Sequence, residues 1–367
     1  MKDTEFAQIA LTQDATGAIA NPIHLSTAYQ HPHLGESTGY DYTRTKNPTR
    51  SAFEEAFARL EQGTASFATS SGMAAIQLIC HLFQPGDEVL VSFDLYGGTF
   101  RLFTHYETHY DIHFTYVDFT NYDEVQRAIT SQTRALFIEP ISNPQMIAID
   151  PQPYYELAQQ HNLLTIIDNT FLTPYLSTPL ADGADIVLHS ATKYIGGHND
   201  VLAGVVTVKD DSLAETLGSY HNMIGATLSP FDSYLLQHGL KTLHLRMERA
   251  ESNARRLAER CEELEAISEV LYSGQTGMLS LRLNPQYDVG LLLKNLKTCI
   301  FAESLGGTET FITFPYTQTH VDMPDAEKVK RGIDAYLIRL SVGIEHYNDI
   351  ERDIIQALNQ AQKGVVT

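Results

Sequence analysis

Residues 163–194 read LLTIIDNTFLTPYLSTPLADGADIVLHSATKY. Two short apolar runs lie in this stretch, Leu163–Ile167 and Asp185–Leu188. The first ends at Asp168-Asn169-Thr170 and the second just before Ser190–Lys193. Runs that are apolar at successive positions, and not at alternate ones, are expected of strands covered on both faces, as in a parallel sheet. Working outward, Ala65–Thr69, Glu88–Phe93, Ile112–Val117, Ala135–Ile138 and Gly204–Val208 read as further short strands, with helical segments between them. That alternation, from about residue 65 to 210, predicts βαβ units and a largely parallel sheet with helices on both faces. Ligands of such sheets sit beyond the carboxyl ends of the strands, so both polar endings in the opening stretch are candidate functional positions.

The flanks read differently. The first 50 or so residues carry turn-rich pieces such as Asn21-Pro22, His31-Pro32-His33 and Asn47-Pro48 without an amphipathic period, which predicts an extended arm. Arg50–Glu61 reads as a helix with Phe53, Phe57 and Leu60 on one stripe. A long helix is expected around Pro230–Leu257. Strand-like Gly277–Leu283, Phe311–Phe314 and Tyr336–Val342 and helices at Val289–Leu296 and Ile350–Ala361 complete the chain. The expected organisation is an N-terminal arm over 1–50, a large α/β domain over 51–230 and a smaller α/β domain over 231–367.

The chain has 367 residues, too many for one small core. Lys plus Arg is 25 and Asp plus Glu is 45, a formal net charge of −20 that disfavours nucleic acid as a partner. Three widely spaced cysteines (Cys80, Cys261, Cys299) and no CxxC pattern argue against a disulfide framework or a zinc site and for a reducing compartment. Met1–Leu11 lacks the apolar core of a secretory signal. No stretch approaches the roughly 18 apolar residues of a membrane span. The expectation is a cytoplasmic protein with neither membrane nor nucleic-acid partners.

Four pieces carry chemistry, each with an ordinary alternative. Thr69-Ser70-Ser71-Gly72-Met73-Ala74 opens a helix; it is either a plain N-cap or a cradle of free N–H groups for a phosphate. Asp168 emerges from a dry strand; it is either a turn former or a carboxylate facing a protonated ring nitrogen. Lys193, in His189-Ser190-Ala191-Thr192-Lys193-Tyr194, is either a solvated surface lysine or an amine bonded to a carbonyl cofactor whose phosphate Ser190 and Thr192 bind. Tyr96, before Gly97-Gly98, is either a surface ring or one that stacks on a flat ligand. Together, and in the chain order Gly loop, Tyr96, Asp168, Lys193, they are the parts that a pyridoxal-phosphate (PLP) site needs.

These pieces stand within longer motifs: YDYTRTKNPTR at 40–50, SSGMAA at 70–75, YGGT at 96–99, DNTF at 168–171, HSATKYIGGH at 189–198, SPFDSYLLQHGLKTL at 229–243, ESLGGTET at 303–310 and IRLSVGIE at 338–345. With them the chain resembles the trans-sulfuration family of PLP enzymes of cysteine and methionine metabolism, from about Thr16 to Leu358. The resemblance implies an aspartate-aminotransferase-like (fold type I) large domain and PLP as cofactor. It implies that Lys193 holds the cofactor covalently and shuttles protons. Asp168 is then the partner of the ring nitrogen and Tyr96 the stacking, catalytic ring, with Gly72, Met73, Ser190 and Thr192 on the phosphate. By the same resemblance Tyr42 and Arg44 reach the phosphate of a neighbouring subunit's site, in a homotetramer. Arg339 is implied as the fork for the substrate carboxylate, with Asn143 and Ser304 near the cofactor hydroxyl and the substrate.

The chain departs from the family pattern at Ser142-Asn143, at Gln237-His238-Gly239, at Phe314-Pro315 and in a short stretch between Tyr272 and Gly277. Asp41, where γ-lyases of the family tend to carry Glu, points to γ-replacement on an O-acylhomoserine (acetyl or succinyl) with cysteine, with sulfhydrylase side activity. Cystathionine γ- or β-lyase chemistry, and a non-catalytic PLP-binding protein, are the alternatives. His105, His109 and His113 have helical spacing, but Ile112–Val117 alternates as a strand and breaks the series, so no metal is expected.

Overall fold

The computed structural model describes residues 2–11, 15–319 and 325–362. Positions 1 and 12–14 of the expected arm, and 320–324 and 363–367 near the C-terminus, lie outside them. The chain folds as two units. Met1–Phe93, Leu102–Glu139 and Asp150–His244 form one, and Asp94–Arg101, Pro140–Ile149 and Leu245–Thr367 the other.

The first unit is built on seven strands: β1 (Ala65–Thr69), β2 (Glu88–Ser92), β3 (His113–Val117), β4 (Thr133–Ile138), β5 (Leu164–Asp168), β6 (Ile186–His189) and β7 (Gly204–Val208). Their order is β1-β7-β6-β5-β4-β2-β3. β6, β5, β4, β2 and β3 run parallel, and β7 is antiparallel to both of its neighbours. The expected mainly parallel sheet is therefore present. Ile166, Ile167, Ile186, Val187 and Leu188 are all buried, as strands covered on both faces require. Each such aliphatic side chain contributes about 1.5–3 kcal/mol when fully buried.

The helix Pro48–Glu61 has Asn47 as its N-cap, whose side chain accepts from the N–H groups of Thr49 and Arg50. The Asn47-Pro48 turn is thus a helix start, with Pro at a position where a missing donor costs nothing. The arm is not wholly extended. Lys2–Ala7 is a short helix because Phe6 is fully buried, its ring 6.0 Å from Tyr175 and 6.1 Å from His244. The helix expected over Pro230–Leu257 is two helices, Pro230–Lys241 and Leu243–Glu262, separated at Thr242. The two serve different cores: Leu236 and Leu240 are buried in the first unit, while Ala254, Leu257, Ala258 and Cys261 belong to the core of the second. Gly239, on the first of these helices, lies so close to the carbonyls of Ile195 and Gly196 that a Cβ there would collide with them. That contact seats the helix on the turn following Lys193.

The second unit carries β8 (Ile267–Leu271), β9 (Met278–Leu283), β10 (Ile300–Phe301), β11 (Phe311–Thr313) and β12 (Leu337–Ser341), in the order β10-β11-β12-β9-β8. All of its pairings are antiparallel except β10–β11. Its core gathers Leu279, Leu281, Ile338 and Leu340 from the sheet and Ile350, Ile354, Ala357 and Leu358 from the helix Tyr347–Ala361. β8 is half exposed and carries Ser268 and Glu269, which is why its apolar pattern is faint in the sequence.

Candidate active site

The first unit assembles its polar residues at the carboxyl ends of β1, β5 and β6. β1 runs through Ser70-Ser71 into the helix Gly72–Cys80, where Ser71 is the N-cap and its Oγ accepts from Ala74 N at 3.1 Å. The first N–H groups of a helix have no partner inside it, and the helix dipole makes that end attractive to an anion. Gly72 faces Ser190: a Cβ at Gly72 would stand 2.8 Å from both Cβ and Oγ of Ser190. A side chain at 72 would therefore fill the space that these two residues share.

Asp168 closes β5, opposite Leu188 of β6. Its Oδ1 accepts from Thr170 N at 3.1 Å and Thr170 Oγ1 at 2.5 Å. Thr170 Oγ1 in turn accepts from Ser190 N at 2.9 Å. A single hydroxyl thus ties the acid at one strand end to the serine at the next. Burial pushes the Asp168 carboxyl above its ordinary range, against the pull of the two Thr170 hydrogen bonds and of the His189 charge. A cation placed against it would relieve that strain on its ionised form. His189 is wholly buried and bonded through Nε2 to Glu61 Oε1 at 2.6 Å. Lys193 is partly buried, its N–H donating to Ser190 O at 3.1 Å. The Thr192 hydroxyl donates to Ala203 O at 3.1 Å and accepts from Ala203 N at 3.0 Å, so it pins the loop to β7.

The arm residues lie on the surface of the same unit. Tyr42 is 46% exposed. Arg44 is exposed and donates to Asn222 Oδ1 at 2.8 Å, with its guanidinium carbon 5.7 Å from the centre of the Tyr42 ring. Asp41 accepts from Ser37 Oγ at 2.5 Å and stands 3.2 Å from His31 Nε2.

The second unit carries Tyr96, Asn143, Ser304 and Arg339. Tyr96 is 41% exposed and its ring lies against Gly98, where a Cβ would collide with it. Two residues earlier, burial pushes the Asp94 carboxyl up to about 6, opposed by hydrogen bonding from Ser142 and by the Arg331 charge. Arg339, on β12, is 2% exposed. Its Nη1 donates to Asn143 Oδ1 at 3.0 Å, and its Nη2 to Ser304 O at 2.9 Å and Thr313 Oγ1 at 3.2 Å. Three of the expected residues are thereby brought together around one guanidinium. Ser304 has a φ of 102°, a conformation uncommon outside glycine, and the hydrogen bond from Arg339 fixes its carbonyl.

Residues 3–359 match the family model described as Cys/Met metabolism PLP-dependent enzyme. The chain belongs to this family. It is 53% identical over 366 residues to the cystathionine gamma-synthase/O-acetylhomoserine (thiol)-lyase of Bacillus subtilis, covering 100% of this chain and 98% of that protein. It is 51% identical over 357 residues to the cystathionine gamma-synthase of Haemophilus influenzae, covering 97% of each. It is also 43% identical over 365 residues to a cystathionine beta-lyase of Lactococcus lactis, covering 95% of this chain and 96% of that one. Among solved structures, a cystathionine gamma-lyase from Lactobacillus plantarum complexed with L-serine superposes with a TM-score of 0.95 at 38% identity, covering 98% of this chain and 99% of that one.

The first unit suits PLP, the cofactor of this family. The helix start at Gly72 offers N–H groups beside the Ser190 hydroxyl, a half-buried carboxylate at Asp168 is raised by desolvation, and a lysine follows on the loop that carries Ser190. Several contributors escape a reading of the sequence. Thr170 sits inside DNTF, and its link between Asp168 and Ser190 follows only from the register of β5 against β6. Thr313 reaches Arg339 because β11 pairs with β12 with these two residues opposite each other. Among the described residues, no group of three or more His, Cys, Asp or Glu could hold a metal ion. His105 and His109 share the helix Gly97–Tyr110 with ring centres 4.6 Å apart, whereas His113 begins β3. No helix among the described residues is long and apolar enough to cross a membrane.

Proposed function

We propose that this protein is a cystathionine γ-synthase: a transferase that replaces the acyloxy group of O-acetyl- or O-succinylhomoserine with the sulfur of cysteine, with O-acetylhomoserine sulfhydrylase side activity. The Cγ–O bond breaks, a Cγ–S bond forms, the acyloxy group leaves as the free carboxylate, and the thiol proton is released. The observation that carries the reading is the buried Arg339, its fork held by Asn143, Ser304 and Thr313, which suits a planar amino-acid carboxylate. The γ-synthase choice is supported by relatives of that name at 51–53% identity, against 43% for the beta-lyase.

PLP, when bound, supplies an electron sink for charge that develops at the substrate α-carbon. The chain's own groups do the rest. Gly72, Met73, Ser190 and Thr192 hold the phosphate, the last by releasing its hydroxyl from Ala203. Asp168 keeps a proton on the ring nitrogen. Tyr96 covers the ring face, and Asn143 and Ser304 border the substrate. Lys193 Nζ holds the cofactor, then takes the proton from the substrate Cα and moves protons at the neighbouring carbon. Tyr42 and Arg44 extend from the arm to the phosphate of a neighbouring subunit in a homotetramer, and Asp41 faces the distal end of the substrate. The acidic surface and the three buried free thiols accord with a cytoplasmic enzyme.

A lyase acting on cystathionine is the second reading, supported by the 43% identity to a beta-lyase and the 38% identity to a gamma-lyase. The PLP-loaded protein is to be incubated with each O-acylhomoserine plus cysteine, and separately with cystathionine alone, and the products separated. Cystathionine formed in the first mixture is the expected result. Thiol, ammonia and keto acid from the second mixture, with no synthesis in the first, would replace the synthase with a lyase. Uptake of PLP with no turnover of any amino acid would leave a binding protein.

A further inference from the structure

Among the groups that hold the arm to the body of its own subunit is a guanidinium that the reaction does not use. The Arg50 side chain is 1% exposed. Its Nη1 donates to Thr43 O at 2.9 Å and Leu228 O at 3.5 Å, and its Nη2 to Arg44 O at 3.1 Å. Its Nε lies 3.5 Å from Glu54 Oε1, which also accepts from Ala68 N at 2.9 Å. Ala68 O in turn accepts from Leu228 N at 3.0 Å. Arg50, Leu228, Ala68 and Glu54 therefore close a ring of contacts between the helix Pro48–Glu61, β1 and the segment before the helix Pro230–Lys241.

From that ring the fork of Arg50 reaches out to two successive carbonyls, those of Thr43 and Arg44. These are the peptide groups on either side of the point where Arg44 leaves the arm, two residues after Tyr42. Other contacts close in on the same turn. Asn47 Nδ2 donates to Thr43 Oγ1 at 3.3 Å and His24 O at 2.9 Å. Gln237 Nε2 donates to Thr49 O at 3.0 Å and its Oε1 accepts from Asn21 Nδ2 at 2.9 Å. Burying a guanidinium is costly unless it is paired, and removing one partner of a buried pair leaves the other uncompensated. A planar fork with two donor edges fixes the orientation of successive peptide planes, which a lysine cannot do.

We propose that Arg50 is a positioning residue that acts across subunits: by fixing the Thr43 and Arg44 carbonyls it aims Tyr42 and Arg44 at the cofactor phosphate of the neighbouring subunit. The inference rests on the shared-site reading given above and adds the residue that makes the arm competent. Loss of Arg50 lowers cofactor affinity at a site to which Arg50 itself does not belong.

The test uses the full-length holoenzyme. Arg50→Lys, which keeps a charge beside Glu54, and Arg50→Met are each stripped of cofactor and titrated with PLP, following the visible absorbance. The expected result is at least about tenfold weaker PLP binding for both, equivalent to ~1.4 kcal/mol. Unchanged affinity in either folded variant overturns the proposal. Each variant is then co-expressed with Lys193→Ala under a second affinity tag, and mixed oligomers are isolated. In a mixed pair, the site that retains Lys193 is served by an arm that retains Arg50. Its activity is expected to return to about half that of a wild-type pair, since one of two symmetric sites is restored. A parallel mixture of Arg44→Ala with Lys193→Ala tests the shared site itself. If that control recovers activity and the Arg50 mixtures do not, Arg50 acts only within its own subunit and the proposal fails. If the control also stays inactive, the shared-site reading falls and the proposal falls with it.

Discussion

His221 shows how burial sets a proton equilibrium in the body of the first unit. Its Nε2 donates to Ala68 O at 2.9 Å. Burial, with the Arg50 charge adding to it, holds the imidazole down to about 4 from an ordinary 6.5. The unfolded chain therefore takes up a proton first as the pH falls. The neutral His221 contributes stability that is complete above about 6.5 and is lost as the pH drops through about 4. For a group this buried the effect is about 3 kcal/mol at most. His221→Gln is expected to flatten the fall in Tm between neutral and acid pH; an unchanged slope would show that another group controls it. Arg339 is the corresponding test in the second unit. Arg339→Lys keeps the charge but loses the fork held by Asn143, Ser304 and Thr313. The expected result is a KM for the amino-acid substrate raised about 10- to 100-fold, from the loss of one charge-assisted bond, with kcat changed much less. A variant whose KM equals that of the wild type would remove Arg339 from substrate binding.

At the scale of elements, the proposed phosphate cradle depends on close approach between backbones. β7 passes the end of β1 so tightly that a Cβ on Gly204 would collide with Ser71 O and lie 2.6 Å from Thr69 Oγ1. Neither the carbonyl nor the hydroxyl can give way without moving the Ser71 cap of the helix Gly72–Cys80, because Thr69 Oγ1 itself bonds to Ser71 O at 2.9 Å. Gly204→Ala is therefore expected to cost about 1–3 kcal/mol, as overpacking of a tight interior does. It should also weaken PLP uptake, since the cap and the cradle move together. Urea denaturation and a cofactor titration of the same preparation measure the two effects. Loss of stability with cofactor affinity intact would show that the cap moves independently of the cradle.

For the molecule as a whole, the three cysteines report on how closed the two cores are. Cys80, Cys261 and Cys299 are all buried and free. Burial pushes the Cys261 thiol up to about 12 and those of Cys80 and Cys299 higher than usual as well. A thiol kept protonated and out of reach is inert. A thiol-specific reagent is expected to modify none of the three in the native holoenzyme and all three after denaturation. Rapid modification of one of them in the native protein would reveal local opening of the core that contains it: Cys80 for the first unit, Cys261 and Cys299 for the second.

What the sequence determined by itself is whatever depends on short-range order. Continuous apolar runs such as Leu163–Ile167 specify buried parallel strands, and the polar residues that end them, Asp168 and Ser190–Lys193, could be picked out because strand ends are where such sheets bind ligands. The helix start at Gly72 was legible for the same reason, since a cap followed by glycine is a local signal. The roles proposed for Arg339, Asn143, Ser304 and the arm residues come only through the resemblance, because no spacing relates positions so far apart in the chain. The tertiary structure decided the rest. The register of β5 on β6 makes Thr170 a bridge, and that of β11 on β12 sets Thr313 opposite Arg339. Packing of Phe6 turns the first residues of the arm into a helix. Two separate cores divide one helical stretch into the helices Pro230–Lys241 and Leu243–Glu262. A buried guanidinium at Arg50 joins the arm to β1. Each of these depends on which distant surface a residue meets, and local periodicity carries no record of that partner.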